Sequence, residues 1–386
     1  MFNLLKKDGE ARLGIIKIGQ REIETPNYVV VATDGQIRCL TQEDIPKTKT
    51  QIVISNTYHL SQSLGKEGLS QFPGLHEFMG WNGLIMTDSG GFQVFSMGKA
   101  RTQNTGKVSN KEHRASQNLN QVRVTDDGVY FTNDIGEEIY LDAEISIKIQ
   151  EQLGADIILA FDEPSSPKDD YEATKKSMRR THDWATRSLA AKISDQKIYG
   201  IVQGGNFKDL RVESAKFINQ LDFDGFAIGG AFGSSFGSEK HHTFEELEWV
   251  SPLLDEQKPR HLLGIGRIDD IFEAVERGVD TMDCVIPTRE ARHGGIWTSN
   301  GRIDITKGQY SSDNSALVKN CFCPTCQEEG TTKSKLYELF KSKDLEAGHL
   351  ATIHNVYFFN DLMRQVREAI KNNSFKTLKK RFLSTA

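Results

Sequence analysis

Asp156-Ile157-Ile158-Leu159-Ala160-Phe161-Asp162-Glu163 sets a continuous apolar run between acidic residues. Unbroken rather than alternating apolarity marks a strand buried on both faces, as in a parallel sheet covered by helices. Just before it, Ala143 to Leu153 has the spacing of an amphipathic helix. Working outward, runs of the same kind recur at Tyr28–Val31, Gln51–Ile54, Leu84–Thr87, Ile198–Val202, Phe226–Gly229, His261–Ile265 and Thr281–Ile286, with a second helical pattern over Ile268–Arg277. Alternating strand and helix is shared by a doubly wound open sheet and a closed barrel, and periodicity does not separate them. Eight runs is the barrel number, so the expected fold is α/β, a (β/α)8 barrel.

Several runs stop at acidic, amide or glycine residues: Thr87-Asp88-Ser89-Gly90-Gly91-Phe92-Gln93, Asp162-Glu163, Gln203-Gly204-Gly205 and Gly229-Gly230, while Asp283 lies inside the eighth. Taken alone, Asp-Ser-Gly-Gly is a turn or helix cap. Repeated at the carboxyl ends of barrel strands, such groups converge on one place, where barrel active sites form. Two carboxylates at one pocket suit cleavage of a glycosidic bond, one attacking the anomeric carbon and the other handling a proton. Glycines there admit a flat ligand close to the backbone, Asp and Gln can read a purine edge, and Phe92 can stack on a base.

Cys321-Phe322-Cys323-Pro324-Thr325-Cys326 supplies three soft ligands in a short loop, and His354 follows 28 positions after Cys326. Three thiolates and one imidazole make a closed tetrahedral zinc site of the structural kind. His354 is preferred over His349, which reads as an exposed loop residue, because His354 precedes a helix-like segment over Asn355–Lys371. Cys39 and Cys284 read as core fillers. Residues 99–125 are polar and read as a solvated insertion.

The 386 residues carry 48 Lys+Arg and 53 Asp+Glu, a formal charge of −5, which excludes a polycationic nucleic-acid binder. No apolar run approaches the roughly 18 residues of a membrane helix, and the N-terminal residues lack a signal-peptide core, so the expected location is cytoplasmic with no membrane partner. From Thr331 onward, however, eleven Lys and Arg face five acids. A basic, metal-stapled module beside an acidic barrel suggests a grip on a polyanion.

With these motifs the chain resembles the tRNA-guanine transglycosylase family over nearly its whole length: Asn56-Thr57-Tyr58-His59-Leu60, Thr87 through Val94, Ala160-Phe161-Asp162-Glu163, Val202-Gln203-Gly204-Gly205, Asp283 through Arg289, and Cys-x-Cys-x2-Cys with Ile353-His354-Asn355. The resemblance implies a catalytic barrel over 1–297 with a polar insertion near 99–125. It also implies a zinc-binding subdomain over 298–386 whose C-terminal helices complete the barrel and contact tRNA. It makes Asp283 the nucleophile and Asp88 the general acid/base in exchange of the wobble guanine of GUN-anticodon tRNAs for a 7-deazaguanine base. Asp162, Gln203, Gly229 and Gly230 match the base-reading segment, Phe92 and Leu263 the pair that sandwiches the ring, and Arg289 and Arg292 the anticodon contacts. One zinc ion per chain would be held by Cys321, Cys323, Cys326 and His354, and a homodimer is expected.

Two departures stand out: Pro164 where bacterial members usually carry Cys, and Ala231-Phe232-Gly233-Ser234-Ser235 where they carry Leu-Ala-Val-Gly-Glu. Gly233 in place of Val enlarges the space for a 7-substituent, which points to queuine over 7-aminomethyl-7-deazaguanine. Other readings are a noncatalytic tRNA-binding subunit, against which the retained Asp88 and Asp283 speak, and a base exchanger acting on DNA.

Overall fold

The computed structural model describes residues 1–91, 122–133, 136–230 and 244–384. Eight parallel strands close a barrel: β1 Asn27–Val31, β2 Ile52–Ser55, β3 Leu84–Thr87, β4 Ile157–Leu159, β5 Lys197–Val202, β6 Gly225–Ile228, β7 Arg260–Leu262 and β8 Thr281–Cys284. Each apolar run contains or overlaps one of them. The runs ending at Phe161, Ile265 and Ile286 outlast their strands because these side chains stay buried after the backbone has left the sheet.

Alternation along the strands divides the core in two. Val29, Ile52, Ile54, Leu84, Met86, Ile157, Leu159, Tyr199, Ile201 and Ala227 form the barrel interior. Their neighbours Tyr28, Val30, Val53, Ile85, Ile158, Ile198, Phe226, Leu262 and Met282 face the surrounding helices. The flanking helices that matter for the site are α1 Thr57–Ser70, α2 Ala143–Leu153, α3 Lys208–Gln220, α4 Ile268–Glu276, α5 Ile286–Arg292 and α6 Leu345–Lys371. Asp142 caps the start of α2 by accepting from Ile145 N, and Gly154 ends it in the left-handed conformation.

An antiparallel sheet of Phe2–Asp8, Ala11–Ile18 and Arg21–Thr25 closes the amino end, placing Ile16 and Ile23 in the interior cluster. Arg21 Nη1 reaches Asp156 Oδ1, just before β4, at 3.1 Å.

Four expectations need correction. Cys39, expected as a core filler, is exposed, in a backbone turn with φ +66°. The polar insertion expected over 99–125 is structured at its end: Arg123–Val124 is a strand that pairs with Gly128–Thr132, which in turn pairs with Glu138–Asp142. The alternating Val122, Val124, Val129, Phe131 and Leu141 cover Tyr58, Phe161 and Trp184, so this end of the insertion is packed. The helix expected over Asn355–Lys371 begins at Leu345, where Asp344 accepts from Glu346 N. His354 therefore lies within α6, and His349 is a helix residue, not a loop residue, with Nε2 2.8 Å from Asp44 Oδ2. Along α6, Val356, Phe359, Met363 and Val366 share a core with Tyr28 and Val30 of β1, and the Tyr28 and Phe359 rings lie 5.0 Å apart. Burial of each such side chain contributes roughly 1.5–3 kcal/mol.

Candidate active site and metal cluster

The inward rows of the barrel run on past the strand ends. Asp88 follows Met86 by two residues, Gln203 follows Ile201, and Gly229 follows Ala227. Leu263 packs onto the interior cluster, and Asp283 pairs in register with the inward Val29. Parity thus directs Asp88, Gln203, Gly229, Leu263 and Asp283 to the same mouth, at the carboxyl ends of five strands.

Asp283 is half-buried. Its Oδ1 accepts from His261 Nε2 at 3.2 Å and from the backbone N–H of Gly264 at 3.1 Å. Tyr28, fully buried, donates its hydroxyl to the carbonyl of Cys284 at 2.9 Å and steadies the strand just beyond. Asp88 sits at the start of α1: Oδ2 accepts from Asn56 Nδ2 at 2.6 Å, and Oδ1 from the N–H groups of Thr57 and Gly90, each at 3.0 Å. Donors at a helix N-terminus favour a negative charge there.

Ser89 carries the network onward, donating to Asp162 Oδ1 at 3.2 Å, while Gln203 Nε2 donates to Asp162 Oδ2 at 2.7 Å. Burial pushes the Asp162 carboxyl up to about 6, against the opposing pull of these two donors. Gln203 Oε1 is buried without a hydrogen-bond partner among the described residues, an acceptor set at the mouth. A Cβ at Gly229 would stand 2.3 Å from Gln203 Nε2, so only glycine leaves that amide its place. Gly230 follows with φ +144°. From behind, Arg211 on α3 ties the segment down, donating to the carbonyl of Gly205 at 2.7 Å and of Gly229 at 2.6 Å. Burial pulls the Arg211 guanidinium down to about 10, with Glu246 pulling it back. Phe92 and Ala231–Ser235 lie outside the described residues. Glu163, next to Asp162, is engaged by Arg180, whose Nη2 donates to it at 2.9 Å, and does not join the network at the mouth.

Arg289 and Arg292 lie on α5, directly after Asp283. Burial, and then the positive charges of Arg38 and Arg289, pull the Arg292 guanidinium down. Arg38 and Arg211 were not singled out from the sequence, and Asn56, Ser89 and His261 stood inside quoted segments without a role. His261 had a signal: an imidazole at the head of an otherwise apolar run.

The cysteine loop and α6 meet as expected. The Sγ atoms of Cys321, Cys323 and Cys326 lie 3.7, 3.4 and 3.6 Å from His354 Nδ1, and all four ligand atoms fall within 4.8 Å of one another. A tetrahedral ion with metal–sulfur and metal–nitrogen bonds of ordinary zinc length sets this edge at about 3.6 Å. His354 Nε2–H donates to the Trp297 carbonyl at 2.8 Å, which leaves Nδ1 as the ligating nitrogen. The cluster could hold a metal ion. Next to it, Asn355 accepts from Trp297 N–H at 3.0 Å and donates to the carbonyls of Pro287 and Gly295 at 3.1 and 2.8 Å.

Carboxylates, an amide and glycine at the carboxyl face of a closed parallel barrel, with a Cys3His cluster outside it, define an α/β-barrel enzyme with an appendage that could hold a metal ion. The family model described as queuine tRNA-ribosyltransferase matches residues 7–386. A queuine tRNA-ribosyltransferase of Francisella tularensis subsp. novicida is 39% identical over 389 residues, covering 99% of this chain and 98% of its own. That of Thermoanaerobacter pseudethanolicus is 39% identical over 386 residues, covering 99% and 96%, and that of Halothermothrix orenii 38% identical with the same coverage. The chain belongs to the queuine tRNA-ribosyltransferase family, and it is a pentosyltransferase. No helix among the described residues is long and apolar enough to cross a membrane.

Proposed function

We propose that this protein is a tRNA-guanine transglycosylase that exchanges the wobble guanine of GUN-anticodon tRNAs for a 7-deazaguanine base by double displacement. The observation that carries this reading is the shared inward parity of Asp88 and Asp283 at the barrel mouth, in a chain of this family. Asp283 bonds to the ribose C1′ as the C1′–N9 bond breaks, its electron pair leaving with guanine and a proton passing to the base from Asp88. Asp88 then takes the N9 proton of the incoming base. The freed pair closes the new C1′–N bond and the aspartyl ester opens, so two inversions restore the configuration.

Asp162, Gln203 and the Gly229-Gly230 backbone read the base edge, Leu263 and Phe92 hold its ring, and Arg289 and Arg292 hold the anticodon. Zinc on Cys321, Cys323, Cys326 and His354 supplies a structural cross-link between the loop and α6. The protein acts as a homodimer, for which the exposed Phe322 beside the cluster offers apolar surface.

Exchange of labelled guanine into tRNA tests the reading. Wild type is expected to exchange and Asp283→Ala, still folded, to lose activity by at least about 10³-fold. Full exchange by Asp283→Ala overturns the mechanism, and tRNA binding without exchange by wild type makes the chain a noncatalytic subunit. With Gly233 as the base-pocket determinant, queuine is the faster incoming base; faster use of 7-aminomethyl-7-deazaguanine reverses that assignment.

A further inference from the structure

His261 is fully buried in the middle of β7, and its imidazole bridges two inward residues of β8, with Nδ1 3.0 Å from Thr281 Oγ1 and Nε2 3.2 Å from Asp283 Oδ1. One neutral tautomer satisfies both contacts: Thr281 donates its hydroxyl hydrogen to Nδ1, and Nε2–H donates to the carboxylate. Gly264 N–H donates to the same Oδ1 from the β7 turn. Both donors therefore hold one carboxylate oxygen. Oδ2 has no hydrogen-bond partner in the protein among the described residues, and Asp283 retains partial exposure, 16% of its side chain. The distribution differs at Asp88, where Asn56 takes Oδ2 and two backbone donors take Oδ1.

We propose that His261 is a positioning residue for the nucleophile: with Gly264 it pins Asp283 Oδ1, fixes the carboxylate rotamer, and turns Oδ2 toward the anomeric carbon. This rests on the transglycosylase reading, in which Oδ2 forms the bond to C1′ while the C1′–N9 pair departs with the protonated base. His261 touches neither sugar nor base. Its contribution is orientation, where a displacement of about 1 Å costs on the order of 10²-fold in rate.

The test compares His261→Phe, which keeps a ring without a donor, His261→Gln, which keeps a donor, and Thr281→Val, which removes the partner that selects the tautomer. Each is checked for fold by circular dichroism and thermal unfolding. The readouts are the single-turnover rate of covalent protein–tRNA adduct, trapped by denaturation, and kcat and KM for tRNA. His261→Phe is expected to slow adduct formation about 10²-fold with KM for tRNA changed less than about threefold, a split that general loosening of the barrel does not produce. His261→Gln is expected to recover at least about tenfold of that loss. Thr281→Val is expected to slow the adduct several-fold and decides the matter if His261→Phe fails to fold. Adduct formation at the wild-type rate in folded His261→Phe, or in Thr281→Val, overturns the proposal, as does a Gln variant no better than Phe. A wild type that forms no adduct and exchanges no base overturns the transglycosylase reading itself, a different failure.

Discussion

Asp162 shows how one buried side chain sets a pH window. Its folded value of about 6 lies above the ordinary 3.8, so between those values the folded chain holds a proton that the unfolded chain has released. Stability contributed by this residue therefore falls as pH rises from about 4 to about 6 and stays lost above that, a change on the order of 3 kcal/mol. Function runs the other way. Guanine presents N–H donors along its pyrimidine edge, and an ionised Asp162 accepts them where the protonated acid does not. KM for guanine is expected to rise about 10-fold or more as pH falls below 6, the scale of losing a hydrogen bond to a charged group. Steady-state exchange between about pH 5 and about pH 8 at constant salt checks this. In Asp162→Asn, KM starts high and stays flat.

Among the elements, α6 couples the Cys3His cluster to the segment that follows Asp283. His354 and Asn355 grip the two sides of Trp297, and Asn355 also holds the Pro287 carbonyl at the start of α5. Asn355→Ala orphans three backbone groups, of which the Pro287 and Gly295 carbonyls are buried and cost about 1–3 kcal/mol each. Both this variant and removal of the metal by a chelator are expected to speed amide hydrogen exchange over 286–298 while β4 to β6 stay protected. Equal protection of 286–298 with and without metal speaks against the coupling.

The strands were legible because sandwiching between interior and helices leaves an apolar run with no polar face, and the cysteine spacing needs no topology to interpret. What the sequence withheld depends on neighbours across the sheet. His261 gains meaning only when β7 lies beside β8, and Arg211 only when α3 backs the Gly205 and Gly229 turns. The start of α6 was hidden because Glu346, Gly348 and His349 interrupt its apolar spacing, although the helix is already formed there.

At the scale of the molecule, a chain of net charge −5 presents cations where a polyanion would arrive. Arg38 lies in the loop after β1 and Arg289 and Arg292 lie on α5 after β8, these strands are neighbours in the barrel, and the charges of Arg38 and Arg289 act on Arg292. Replacing Arg38 by Ala is expected to lower the slope of log affinity for tRNA against log salt by about 0.7–1 and to weaken binding across tRNA sequences alike. Titrations at several salt concentrations measure it, and an unchanged slope removes Arg38 from the contact surface.

The amino-terminal sheet has a consequence for traffic. With Ile16 and Ile23 stoppering one end and tightly packed side chains filling the bore, the described residues leave a purine no passage through the barrel from the amino end, only the mouth at the carboxyl ends of the strands. Under the proposed double displacement, the outgoing nucleobase would have to vacate that mouth before its replacement enters, so the two halves of the exchange would take turns.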